Sequence, residues 1–73
     1  MTIHYFPDTG TLLITFNDAP VVETREVTED LLVDLDDASH VVSVTVEHAR
    51  HQANLDAVSL HLTGAVPQPA GGA

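Results

Sequence analysis

The stretch Leu31–His51, LLVDLDDASHVVSVTVEHARH, determines most of what can be predicted about the fold. Two runs of alternating apolar and polar residues flank the turn-forming letters DDAS. Alternation with a period of two is typical of antiparallel strands that pack on one face and meet water on the other. We therefore predict strands at 31–36 and 40–47. Their apolar face comprises Leu31, Val33, Leu35, Val42, Val44 and Val46.

Three more β-prone runs come before this stretch. Ile3–Phe6 and Thr11–Phe16 are separated by PDTG, so they are predicted to form a hairpin. Val21–Val27 is charged in its middle, which is typical of an edge strand that discourages unwanted pairing. The predicted fold class is α+β and mainly β: an antiparallel β-meander of four to five short strands with one short helix near the C-terminal side.

The sequence after the valine strand is less regular. EHARHQAN, Glu47–Asn54, has no glycine, proline or β-branched residue, so we predict a short helix that covers the open face of the sheet. Asp56–Thr63 alternates again and is predicted to be a last strand, with a continuous helix from Glu47 through Leu62 as the alternative. Residues 1–63 would then form a single small β-rich domain, followed by a flexible Gly/Pro/Ala tail at 64–73.

The length of the chain limits its core. A domain of 73 residues buries only about 60% of the surface that its unfolded chain exposes. The chain has no cysteine, so disulfides cannot compensate. One sheet with one short helix leaves an apolar face or an edge uncovered, and pairing across a two-fold axis would cover it. We therefore expect a homodimer.

The charge of the chain restricts its partners. Eleven acidic residues against two basic ones give a formal net charge of −9. Such a charge repels phosphate backbones and anionic lipid, so neither nucleic acid nor a membrane is an expected partner. No apolar run reaches the roughly 18 residues of a membrane span, and no basic targeting segment is visible. The expectation is a soluble, cytoplasmic protein, and a small basic protein is the partner that its charge favours.

The acidic residues of the predicted edge strand and of the strand that follows it are the first candidate site. An exposed strand edge and the acidic strand face could bind a basic partner, since the edge offers backbone hydrogen bonds and the carboxylates offer steering. The alternative is a solvated face without a ligand. The candidate partner-binding residues are Glu23, Glu26, Asp34 and Asp36.

Two histidines are the second candidate site. His48 and His51 are three residues apart, so on a helix they would project from one side and could bind one transition metal at a dimer interface. Two ligands do not complete a site, and a third would have to come from an acidic group or from another histidine, His4, His40 or His61. Surface histidines without a metal are the alternative, and no cofactor is predicted.

Catalytic signatures are absent from the sequence. A cysteine nucleophile is excluded, the serines lie in no glycine-flanked elbow, and no phosphate-binding glycine loop is present. An enzyme is therefore not expected. A purely structural dimer remains a further possibility.

Two segments resemble a known bacterial family. YFPDTGTLLITF, Tyr5–Phe16, and EVTEDLLVDLDDASHVVSVTVEHA, Glu26–Ala49, are similar to the domain of unknown function family 2283. The sequence departs from the family pattern at Ser39–His40, where glycine–arginine is common, at Ser43, where glycine is common, and at Thr45, where glutamate is common. The resemblance implies a small β-rich fold and no known activity. Family members look like companions of small toxin-like proteins in gene pairs, which implies an antitoxin-like role.

Overall fold

A computed structural model describes residues 1–64. Its five strands form one antiparallel sheet, followed by one short helix, which confirms the predicted fold class. The elements are β1 Thr2–Phe6, β2 Thr11–Thr15, β3 Glu23–Thr28, β4 Leu31–Leu35, β5 Val41–Val46 and α1 Ala49–Gln52.

The strand order in the sheet is β1-β2-β5-β4-β3. Sequence neighbours pair in three hairpins, β1 with β2, β3 with β4 and β4 with β5, as in a meander. β2 pairs with β5 instead of β3, so the connection from β2 leads to the far edge of the sheet. This order places the uncharged strands TLLIT and VVSVTV inside the sheet and the charged ETREVT at an edge, where its side chains can stay in water.

The strand register gives the sheet two chemically different faces. Directly paired residues lie on the same face, and the pairs Leu12↔Val46 and Ile14↔Val44 continue into Leu31↔Val46 and Val33↔Val44. We call this side the apolar face. Its apolar and aromatic residues are Ile3, Tyr5, Leu12, Ile14, Leu31, Val33, Val44 and Val46, to which alternation adds Leu35 and Val42; Glu23 and Arg25 of β3 lie on the same side.

The opposite side is the polar face. Thr15 pairs with Ser43 there, and Ser43 pairs with Asp34. The register therefore confirms the predicted alternation from Leu31 to Asp34 and from Ser43 to Val46, and a register shift after Asp34 pairs Leu35 with Val41. The polar face comprises Thr2, His4, Phe6, Thr11, Leu13, Thr15, Thr24, Glu26, Leu32, Asp34, Ser43 and Thr45.

The core of the described chain is small. Within residues 1–64, only Leu35, Val42, Ala49 and Ser43 are less than 9% exposed, and of these only the small Ala49 is completely buried. Neighbouring strands shield one another from the side, but no second layer of helix or sheet lies over either face in this part of the chain. The fold is thus a single-layer sheet.

The predicted helix is present but short. It was expected over Glu47–Asn54 and occupies four residues, Ala49–Gln52, because Ala53 is already extended. Ala49 is its only buried residue, and the Ala49 N–H donates to the carbonyl of Gly10 at the end of the sheet. The prediction that the helix covers the open face is wrong, since a single helical turn shields very little area.

The predicted last strand is also wrong. Asp56–Thr63 forms neither a strand nor the alternative helix through Leu62. Val58, Leu60 and Leu62 alternate in sequence, but they are 71–78% exposed and no sheet edge receives them. Alternation produces a strand only where a partner satisfies its backbone groups. Apart from Gly64, the tail predicted at 64–73 lies outside the described residues.

Candidate functional site

Asp34 links three strands across the polar face. Its two carboxylate oxygens accept 2.6 Å hydrogen bonds, one from the Thr24 hydroxyl on β3 and one from the Ser43 hydroxyl on β5. The three residues lie side by side because the register pairs Asp34 with both of the others. Ser43 is only 7% exposed, so this carboxylate satisfies a buried hydroxyl. Asp34 therefore adds side-chain hydrogen bonds across β3, β4 and β5 to the backbone pairing of these strands.

Asp36 closes the turn between β4 and β5. Its Oδ1 accepts hydrogen bonds from the backbone N–H of Ala38 at 2.9 Å and of His40 at 2.8 Å. These bonds, chiefly the one from His40, lower the pKa of the Asp36 carboxyl below its usual value. The same turn holds Ser39 in the left-handed region, with φ of 63°. Asp36 thus caps a turn, as aspartate commonly does.

The β3 edge is the most exposed of the five strands. All six of its residues are exposed, and its outer side has no strand partner within residues 1–64. Glu23 and Arg25 form an ion pair at 2.7 Å, and their hydrogen bond lowers the pKa of Glu23 and raises that of Arg25. Glu26 is exposed, and its side chain makes no hydrogen bond or ion pair within the described chain. A register shift between Glu26 and Thr28 bends the strand beside these groups.

An open cleft of about 480 Å³ lies where β4 begins and β5 ends, away from the turn that joins these two strands. Its lining residues are Glu29, Asp30, His48 and His51. His48 precedes α1 in the left-handed conformation, with φ of 51°, and its ring stacks on that of His51 with centroids 6.0 Å apart. The Nδ1 atom of His48 lies 2.9 Å from Oδ1 of Asp30. This hydrogen bond and the Asp30 charge raise the pKa of His48.

The two predicted metal ligands, His48 and His51, are therefore neighbours, but no third ligand lies close enough to complete a metal site in the described part of the chain. Within residues 1–64, no three histidine or acidic side chains are arranged to hold one metal ion. Of the proposed third histidines, His4 stacks on Phe6 on the polar face and His40 lies beside Asp36. His61 is exposed in the segment after α1.

Sequence reasoning missed the contribution of Glu29 and Asp30 to this cleft. They belong to the turn TED between β3 and β4, where they could be interpreted only as turn residues. The signal that could have placed these two residues beside the histidines is the predicted pairing of β4 with β5. Once Leu31 pairs with Val46, the residue before Leu31 lies beside the chain that enters α1, and the Glu47 N–H donates to the Asp30 carbonyl at 2.8 Å.

These observations define a small, mainly β protein built on one antiparallel sheet with an acidic surface. A family model described as "Protein of unknown function (DUF2283)" matches residues 2–50, which include all five strands. The match covers more than half of the 73-residue chain, so the protein belongs to this family. No curated protein and no solved structure matches the chain. No helix within residues 1–64 is long and apolar enough to cross a membrane.

Proposed function

We propose that the protein is a protein-binding module that engages a basic partner through its β3 edge and the acidic surface beside it. The observation that carries the proposal is the exposure of all six β3 residues on a strand whose outer side is unpaired within residues 1–64. A free strand edge offers backbone donors and acceptors to an extended segment of a partner.

The carboxylates divide into two groups on this proposal. Asp34 and Asp36 are engaged by hydroxyl and backbone donors of the fold, so they contribute negative potential more than direct contacts. Glu23 and Glu26 lie on β3 itself and are exposed. With a formal net charge of −9, the surface would accelerate encounter with a basic protein, and the acceleration would fall as salt rises.

The finer form of the proposal is an antitoxin-like role, in which the partner is a small basic protein encoded next to this chain. The acidic β3 edge would cover a basic surface of that protein. Co-expression tests this form directly: growth inhibition by the neighbouring gene product should be relieved by the wild-type chain.

The binding surface can be tested with two variants that carry the same charge change. Glu26→Lys alters β3, whereas Asp8→Lys alters the exposed turn between β1 and β2, at the opposite edge of the sheet. Capture from cells of the source organism at low salt should recover a small basic protein with the wild type and with Asp8→Lys, and much less of it with Glu26→Lys. Recovery of no such protein, or equal recovery with both variants, contradicts the proposal.

A second candidate function is the binding of a divalent transition metal in the histidine cleft. One observation favours it: Asp30 engages Nδ1 of His48, and a carboxylate on one ring nitrogen commonly orients a histidine that binds metal through the other. His51 would be the second ligand, and the remaining positions would need water or a second copy of the chain. Zn²⁺ or Ni²⁺ should then raise the melting temperature of the wild type and not that of His51→Ala. An unchanged wild-type melting curve removes this candidate.

A further inference from the structure

The apolar face is a surface without a covering layer. Ten apolar or aromatic side chains point to this side, yet only Leu35 and Val42 among them are less than 9% exposed. Ile3, at its β1 border, is 51% exposed. Within residues 1–64, α1 is one turn long, and Val58, Leu60 and Leu62 stay in solvent instead of packing here. A sheet with an apolar side requires a second layer.

The charged side chains are distributed so that no strand carboxylate without a basic partner lies on the apolar face. Both basic residues of the chain lie on or beside it: Arg25 pairs there with Glu23, and the Arg50 guanidinium stands 5.1 Å from the Tyr5 ring centroid. Glu23 is the only strand carboxylate on the apolar face, and it is neutralised by Arg25. The remaining strand carboxylates, Glu26 and Asp34, lie on the polar face.

This distribution of charge distinguishes between the partners that could cover the apolar face. A basic partner would gain more from the polar face and the turns, where the carboxylates are, than from a face that carries the chain's own arginines. A second copy carries the same net charge of −9, so what matters is whether the surface that meets this face brings unpaired carboxylates with it, as a surface rich in exposed acids would. A second copy is suitable, because two identical apolar faces meet without bringing unpaired carboxylates together.

The size of the face is sufficient for a modest dimer. Five strands at about 4.8 Å spacing and about 17 Å length give roughly 400 Å² of flat area per copy. Because side chains project from the sheet, the accessible area exceeds this flat area. The total area buried over both copies therefore lies near the roughly 1,000 Å² at which specific interfaces begin. The association should therefore be reversible and depend on protein concentration.

We infer that the apolar face packs against the same face of a second copy, so that two single-layer sheets form one sandwich about a two-fold axis. The sheets would lie about 10 Å apart, with Val44 and Ile14 near the centre. Both polar faces, including Glu26, and the outer backbone edges of both β3 strands remain outside, whereas Glu23 and Arg25 lie at the border of the interface. The dimer therefore presents two partner-binding surfaces, but the inference does not depend on the proposed function.

The natural sequence provides both the probe and its control. Leu12, Ile14 and Val44 carry methyl groups on the apolar face, whereas Leu13 and Leu32 carry them on the polar face. In a mixture of isotope-labelled and unlabelled full-length protein, isotope-filtered NMR should show intermolecular contacts to the first group and none to the second. Sedimentation equilibrium should give twice the 7.8 kDa chain mass, with dissociation on dilution.

Three results would overturn the inference. The first is a monomer at all concentrations, and the second is intermolecular contacts to Leu13 and Leu32. The third is intramolecular contacts from Val58 or Leu60 to the apolar face without intermolecular ones, which would make the chain's own C-terminal segment the covering layer. None of these results bears on capture of a basic partner, so the dimer and the proposed function can fail separately.

Discussion

The Nδ1 atom of His48 lies 2.9 Å from Oδ1 of Asp30, which joins the residue before α1 to the turn between β3 and β4. A backbone bond from the Glu47 N–H to the Asp30 carbonyl reinforces the connection. His48 is held in the left-handed region, at φ of 51°, which an ordinary residue adopts only at some energetic cost. The side-chain contact to Asp30 helps to stabilise this conformation.

The contact makes stability depend on pH. The Asp30 hydrogen bond and charge raise the folded-state pKa of His48 above its ordinary value of 6.5. A raised pKa contributes stability that is fully present below the unfolded-state value and is lost as pH rises through the folded-state value. Asp30→Asn should therefore lower the urea midpoint clearly at about pH 5.5 and much less at about pH 8.5.

Asp18→Asn, in the exposed β2–β3 connection, is the matched control and should show no such pH dependence. If the loss caused by Asp30→Asn were the same at both pH values, the ion pair would not contribute to stability.

Glycine at position 39 should make the protein more stable than the natural serine does. Its φ of 63° disfavours a side chain by about 1 kcal/mol, and part of the relief is offset by the greater freedom of glycine in the unfolded chain. Ser39→Gly should stabilise the protein by about 0.5 kcal/mol in urea unfolding. Ala38→Gly in the same turn has no positive φ to relieve and should destabilise it by about 0.5–1 kcal/mol. A destabilising Ser39→Gly would contradict this account of the turn.

Removing the whole Asp34 carboxylate should lower the free energy of unfolding more than removing only its negative charge. Asp34→Ala leaves the nearly buried Ser43 hydroxyl without its acceptor and should destabilise the protein by about 2 kcal/mol. Asp34→Asn makes the same change in charge but keeps one acceptor oxygen, so it should cost less than half as much. Equal losses for both variants in chemical denaturation would show that the hydroxyl bonds contribute little.

The strands and their faces could be predicted from the sequence because each β-strand signal is local. Alternation placed Val44 and Thr45 on opposite faces, and the register confirms it. The resemblance to the family was confirmed as well, over residues 2–50. The resemblance implies glycine at the position of Ser39, and the left-handed φ of 63° at this residue is one that glycine adopts without steric cost.

The pairing of β2 with β5 and the state of Asp56–Thr63 could not be predicted in the same way. Both depend on which strand edge is available, and that is a property of the assembled sheet. For the same reason the sequence does not predict that the oxygens of Asp34 and Asp36 accept hydrogen bonds from residues positioned only by the fold, and the partner-binding role of these two residues stays a prediction. The histidine cleft was recognised only in part, because Asp30 reaches His48 across 18 residues of sequence.

The different roles of the two faces can be tested most directly at adjacent residues of β5. Val44 and Thr45 have nearly the same shape and are both favourable in strands, so exchanging one type for the other changes little except polarity. The free energy of unfolding in urea should fall by about 1–2 kcal/mol in Val44→Thr, which places a hydroxyl on the apolar face, and should change by less than about 0.5 kcal/mol in Thr45→Val. Equal effects of the two substitutions, or a larger loss in Thr45→Val, would contradict the assignment of the apolar face.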